Sequence, residues 1–449
     1  MTAEPGWERA LVIGSGIGGL ATARVLAEHF SRVTVVDKDH VSIEGAPRPG
    51  VPQARHVHGL LSKGAEVLEG LFPGLRAELE TLGAVCFDHG QGVCTHTPHG
   101  PVPRARVGRP IQVFTRELLE SRIRRRVVAI PSVQVTGGVR VTGLRTDSSG
   151  RRVVGVTAIR LPSTPSPASE DVLPADLVVD ASGRFSALPQ WLEVIGYPQP
   201  RDRVVNAGLA YSTCLFDGPD EDWRVIYHVN SAPHLPRGAY AIRTESGQWL
   251  VTLFGSAGDH PPVKLDGFSR FAQSLNNPEL KKIVDGGNLV AGVHHYARTE
   301  NRLREYHRLP RWPERLVVLG DAVCAFNPIY GQGMTVASLE AVALGAQLTR
   351  SRTGAKTRPE GRLFQQRLPW ITAVPWLLST NEDQLWQAHM NGHRARLSAR
   401  ALHWYMNKLL DATITDPQVY RAFLNVFHMV RRPTHLARPS VLLRALTST

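Results

Sequence analysis

Apolar residues fill positions 10–13 without a break, and from Leu20 onward they recur at helical spacing as Leu20, Ala23, Ala27 and Phe30. The first pattern predicts a short buried strand and the second a helix over 20–30. A further apolar run, Val33-Thr34-Val35-Val36, predicts a strand that ends at Asp37. Two more buried strands are predicted at 177–179 and 315–319, the first followed by Asp180 and the second by Gly320-Asp321. An Ala/Leu-rich helix is expected over 336–349. Strand patterns at 153–161 and 172–179 flank a Pro/Ser-rich stretch beginning at Thr164, which reads as an exposed hairpin tip. Beyond Trp191 the alternation at 207–216, 223–229, 239–243 and 249–255 predicts an antiparallel sheet, with a helix over 268–284 crossing it. From 359 the chain reads as helical, punctuated at Pro369, Pro375, Pro417 and Pro433. Trp370, Trp376, Trp386, Trp404, Tyr405, Phe423 and Phe427 lie along these helices, either as core contacts or as a lid over an apolar cavity. No internal repeat is evident.

Between the first strand and helix stands Gly14-Ser15-Gly16-Ile17-Gly18-Gly19, in which Gly14, Gly16 and Gly19 satisfy a GxGxxG spacing. Gly14 permits a tight turn, Gly16 lets the backbone approach a pyrophosphate, and Gly19 lets helix and strand pack closely. The helix N-terminus adds free N–H groups for phosphate, and Asp37 would accept hydrogen bonds from a ribose. Strand, helix, strand and acid in register make a dinucleotide site. A second cradle of backbone amides follows the Gly320-Asp321 strand, in Asn327-Pro328-Ile329-Tyr330-Gly331-Gln332-Gly333-Met334.

This second segment resembles the Gly-Asp fingerprint of class A flavoprotein monooxygenases, the para-hydroxybenzoate hydroxylase-like group. The resemblance implies FAD, with Asp321 on the ribityl chain. The turn at Pro328, Gly331, Gly333 and Met334 would lie against the isoalloxazine, where N–H groups would face the charge that reduced flavin gathers. Arg48-Pro49-Gly50-Val51-Pro52-Gln53-Ala54-Arg55-His56-Val57-His58 resembles the loop that passes beside the flavin after the second strand.

 The likeness puts Arg48 at the FAD ribose or phosphate and adds Lys38 and Arg55 to the cofactor set. Thr115-Arg116-Glu117-Leu118-Leu119-Glu120 resembles the helix start whose arginine, here Arg116, also reaches FAD. Leu177-Val178-Val179-Asp180-Ala181-Ser182-Gly183-Arg184 resembles the strand that closes the FAD domain.

The fold implied is α/β: a discontinuous Rossmann-like FAD-binding domain, an antiparallel-sheet substrate domain and C-terminal helices. The FAD-binding pieces are 1–75, 105–185 and 301–355, the substrate domain is built from 76–104 and 186–300, and the helical region covers 356–449. Bacterial polyketide-tailoring flavoproteins are similar in more detail. Polyether epoxidases share the runs 50–58 and 325–334 almost intact, except that Gln332 stands where they carry His. The activity implied is oxygen insertion, through a flavin C4a-hydroperoxide, into a hydrophobic polyketide-type intermediate. A flavoprotein cyclase of the spirotetramate kind, using FAD structurally for a [4+2] cycloaddition, is the alternative, and a flavoprotein without chemistry is a third. A halogenase is disfavoured because the chain has no Trp-x-Trp pair. Electrons would come from NADPH or from a partner flavin reductase. No catalytic side chain is named, because epoxidation needs no side-chain base, whereas phenol hydroxylation is helped by one.

Composition narrows the setting. The chain has 449 residues, 42% of them apolar and 20% charged, which is globular. Its formal charge is +13, carried mostly by arginines spread along the length, with no module of stacking aromatics for nucleic acid. No apolar stretch reaches the ~20 residues of a membrane helix, so no stable membrane insertion is expected, although the basic, apolar tail allows weak surface contact. No signal peptide is evident at the polar start. Cys86, Cys94, Cys214 and Cys324 are scattered, which fits a reducing cytoplasm and no zinc site. His56 and His58 read as a metal pair or as part of the flavin loop. Cys324 reads as a flavin-adjacent thiol or a small buried residue.

Overall fold

The computed structural model describes residues 8–43, 45, 48–161, 170–353 and 361–447. A five-stranded parallel sheet runs in the order Leu316–Val318, Leu177–Asp180, Arg9–Ile13, Arg32–Val36, Val133–Thr136. Four of the five residues of Arg9–Ile13 and all of Leu177–Asp180 are buried, as parallel strands covered on both faces require. The helices Ile17–Leu26 and Gly333–Thr353 pack on each other over this sheet. An antiparallel sheet of Val139–Thr146, Val153–Arg160 and Glu170–Pro174 packs against it. The expected hairpin tip from Thr164 lies outside the described residues. The first helix is shorter than the spacing predicts, ending at Leu26, after which Phe30 turns inward and is buried.

The second layer is a seven-stranded sheet in which Ala210–Asp217, Trp249–Gly255, Arg237–Arg243 and Val225–His228 are antiparallel neighbours. Val93–Thr97 joins it parallel to Val225–His228, bringing a strand from well before the other four into the same sheet. Alternation sorts its side chains by face. Ala239, Ala241, Trp249, Val251 and Leu253 face one way into a core with Phe268, Phe271, Leu280 and Ile283. Tyr240, Ile242, Thr252 and Phe254 face the other way and line a cavity. The single helix expected over 268–284 is two, Leu265–Gln273 and Pro278–Gly286. Asn277 caps the second by accepting from Leu280 N, and Pro278 at its first position cannot continue the preceding turn.

The C-terminal region closes over that cavity with Pro369–Met390, Leu397–Thr415 and Pro417–Phe427, while Pro439–Thr447 packs on the last two of these. Pro369 and Pro417 open helices, and Asp416 caps the latter through Gln418 N and Val419 N. Pro375 does not punctuate: Pro369–Met390 runs through it, because Trp376, Ser379, Thr380, Asp383 and Trp386 are buried on the turns that follow. Both readings of the aromatic stripe hold for different residues. Trp376 and Trp386 are buried, Phe423 and Phe427 line the cavity, and Trp370 is 89% exposed. None of the described helices is long and apolar enough to cross a membrane.

Candidate active site

Two cavities meet between the layers. The larger, about 510 Å3, opens at the C-terminal ends of the parallel strands. Gly14, Gly16, Asp37, Lys38, Arg48, Arg116, Asp321, Pro328, Gly331, Gly333 and Met334 all line it. Gly19 does not, and its place is structural: a Cβ there would fall 1.9 Å from Gly14 O, so only glycine lets the helix sit this close to the turn. Gly14 has φ +100°, whereas a Cβ on Gly16 would meet no protein atom within 4 Å. Arg55 is not brought to this cavity. Its guanidinium reaches the seven-stranded sheet instead, 3.4 Å from His294 Nδ1, because the short helical turn Pro52–Arg55 carries it past the opening.

Asp37 is already engaged. Its Oδ2 accepts from Ser15 N and Ser15 Oγ, both at 2.7 Å, and from Arg48 Nη1 at 3.1 Å, while Oδ1 accepts from Asp39 N at 2.9 Å. A carboxylate has about four acceptor positions, so Oδ1 retains room for one further donor. Arg48 is 7% exposed and also pairs with Glu120, which in turn holds Arg124 at 2.6 Å and lies 3.5 Å from Arg116 Nε. Ser15 and Glu120 were not among the site residues expected from sequence, although both stand inside the motifs themselves. Burial pushes the Asp321 carboxyl up, and the nearby Arg184 and Arg116 guanidinia pull it back down.

The smaller cavity, about 300 Å3, lies between the seven-stranded sheet and the C-terminal helices. The two share His58, Gly59, Pro328, Gly331 and Gln332. Gln332 is 5% exposed, and its Oε1 has no hydrogen-bond partner among the described residues. His58 is held neutral: burial and Arg116 lower it to about 3, with Nδ1 donating to His56 O at 2.9 Å and Nε2 facing Arg116 Nη1 at 3.3 Å. His56 bonds Thr213 Oγ1 at 2.7 Å, so the two imidazoles serve different neighbours. No group of three or more His, Cys, Asp or Glu suited to a metal occurs among the described residues. Cys324 is 1% exposed in the core around the parallel sheet and lines neither cavity.

The turn between the cavities is pinned from behind. Asp383, 1% exposed, accepts from Asn301 Nδ2 at 2.6 Å, Asn327 Nδ2 at 2.8 Å and the Tyr330 hydroxyl at 2.8 Å. Asn327 caps the turn through Ile329 N, and Tyr240 donates to Ile329 O at 3.1 Å. Asp383 thus ties the C-terminal helices to the turn, a role with no motif to announce it.

A family model described as an NAD(P)-binding Rossmann-like domain matches residues 12–59. Protein Rv3254 of Mycobacterium tuberculosis is 32% identical over 434 residues, covering 94% of this chain and 90% of its own. Kynurenine 3-monooxygenase of Salinispora tropica is 26% identical, covering 88% and 86%. The chain belongs to the FAD-dependent monooxygenase family. Among solved structures, p-nitrophenol 4-monooxygenase PnpA from Pseudomonas putida shares the fold, with a TM-score of 0.64 at 18% identity over 95% of this chain and 99% of that one. The cofactor of this family is FAD, and the larger cavity fits it. Gly16 offers an open approach, Asp37 Oδ1 keeps an acceptor position, and an unpartnered buried amide oxygen stands where the cavities join.

Proposed function

We propose that this enzyme inserts one oxygen atom into a hydrophobic, polyketide-type natural-product intermediate held in the smaller cavity. The observation that carries the reading is the junction of a largely apolar cavity with the larger one at the Pro328–Gly333 turn. Gly14 and Gly16 would receive the pyrophosphate of FAD, Asp37 a ribose hydroxyl, and Asp321 the ribityl chain. Arg48, Arg116 and Lys38 would supply positive charge, and Gly331, Gly333 and Met334 would border the flavin ring. FAD, when bound, supplies the activation of molecular oxygen. The protein's part is to hold the substrate beside the turn and keep water out. Phe423, Phe427, Met406 and Leu378 from the C-terminal helices, facing Tyr240 and Phe254 from the sheet, form that apolar enclosure.

The test is turnover under labelled oxygen with polyene and aromatic polyketide precursors, reduced by NADPH alone or with a flavin reductase. Label from O2 in the product, with one reductant consumed per product, is expected. Product formed without label and without reductant would replace oxygen insertion by the cycloaddition that related flavoprotein cyclases perform.

A further inference from the structure

The apolar cavity has one strongly polar corner, made by two C-terminal helices. Glu382 from Pro369–Met390 and His403 from Leu397–Thr415 both line it, with side chains 20% and 15% exposed. His403 Nδ1 lies 2.8 Å from Glu382 Oε2, and Ala232 N donates to Glu382 Oε1 at 2.5 Å. The carboxylate is therefore fixed from both sides, and it fixes the imidazole with its proton on Nδ1. That leaves Nε2 as the basic nitrogen. Asn407, one helical turn further along, places Nδ2 2.8 Å from it, and also lines the cavity.

We propose that His403, oriented by Glu382, binds and deprotonates an acidic hydroxyl, phenolic or enolic, on an otherwise apolar substrate. The inference rests on the oxygen-insertion reading and names its substrate class. A hydroxyl entering this corner takes the place of the Asn407 N–H at Nε2. Its O–H bond breaks, the proton forms an N–H bond at Nε2, and the electron pair stays on the substrate oxygen. Glu382 stabilises the resulting imidazolium, and its hydrogen bond already raises the affinity of His403 for a proton. The ionised ring or enol carbon is the better nucleophile for an electrophilic oxygen. The corner is also registered to the flavin side: the residue after Glu382 is Asp383, which holds the Tyr330 hydroxyl.

A structural tie between two helices would not select for a ligand's hydroxyl, and this separates the two roles. FAD-loaded protein is titrated calorimetrically with 2-naphthol and with 2-methoxynaphthalene, and bound naphthol is examined for its naphtholate absorption band. The native protein is expected to prefer naphthol by about 10-fold or more, the worth of one charge-assisted hydrogen bond, and to bind it as naphtholate. His403→Gln should lose that preference and the band, with methoxynaphthalene affinity and FAD content unchanged. Glu382→Gln should lose most of the band. Equal affinities in the native protein, no measurable naphthol binding, or an unchanged preference in His403→Gln overturns the proposal. Binding is read without turnover. Unlabelled product with naphthol preference intact therefore rejects oxygen insertion alone, whereas labelled product without the preference rejects this site alone.

Discussion

Removing the Asp383 carboxylate tests whether the turn between the cavities is held from the C-terminal helices. In Asp383→Ala, three buried donors, from Asn301, Asn327 and Tyr330, lose their acceptor together. Each such donor left unsatisfied costs about 1–3 kcal/mol, so even the low end gives a loss of about 3 kcal/mol or more. Asp383→Asn adds a test by pH. Burial raises this carboxyl from the usual 3.8 to about 7, against the pull of its three hydrogen bonds. Between those values the folded protein holds a proton that the unfolded chain releases. The contribution to stability is full below 3.8 and is lost as pH rises through about 7, at no more than about 1.4 kcal/mol per pH unit. Urea unfolding of native and Asp383→Asn proteins from pH 4.5 to 7.5 should show the native protein's relative stability falling with pH and levelling above 7. A difference independent of pH, together with Asp383→Ala within about 1 kcal/mol of native, would refute the reasoning.

Gly16→Val and Gly19→Ala should part company. A Cβ at the first meets no protein atom within 4 Å, so apoprotein unfolding should stay within about 0.5 kcal/mol of native, while FAD affinity measured by fluorescence quenching falls about 100-fold. The second clashes with Gly14 O and should lower apoprotein stability by about 3 kcal/mol. Arg48→Ala leaves the Asp37 and Glu120 carboxylates buried without it, and calorimetric unfolding should show about 3–5 kcal/mol lost. Asp321→Ala should purify with less bound flavin, read from the visible absorbance per polypeptide, and full occupancy would remove the ribityl assignment.

The nucleotide half was legible because its chemistry is written locally. The glycine turn, the acid at 37 and the Gly320-Asp321 strand each need particular residues at fixed spacing, and three of the five parallel strands carry continuous apolar runs, at 10–13, 177–179 and 316–318, whereas Val133–Thr136 alternates and gave no such signal. The half built on the seven-stranded sheet was legible only as a sheet, since alternation reveals which residues share a face and not what that face looks upon. Glu382 and His403 stand 21 positions apart on different helices, and Asp383 reaches residues 301, 327 and 330. Such pairings arise only when the helices dock, and no short pattern encodes them. Pro375 misled for a related reason, because packing on the following turns outweighs its preference to end a helix.

Consecutive residues of one helix look in two directions: Glu382 toward the apolar cavity and Asp383 toward the turn. A helix advances about 100° per residue, so inserting or deleting a single residue between Pro369 and Glu382 would rotate both away from their partners at once. Lineages that change what this enzyme accepts are therefore free to exchange side chains along the helix but not to add or remove a residue between Pro369 and Glu382. Diversification within that span should be recorded in substitutions rather than gaps.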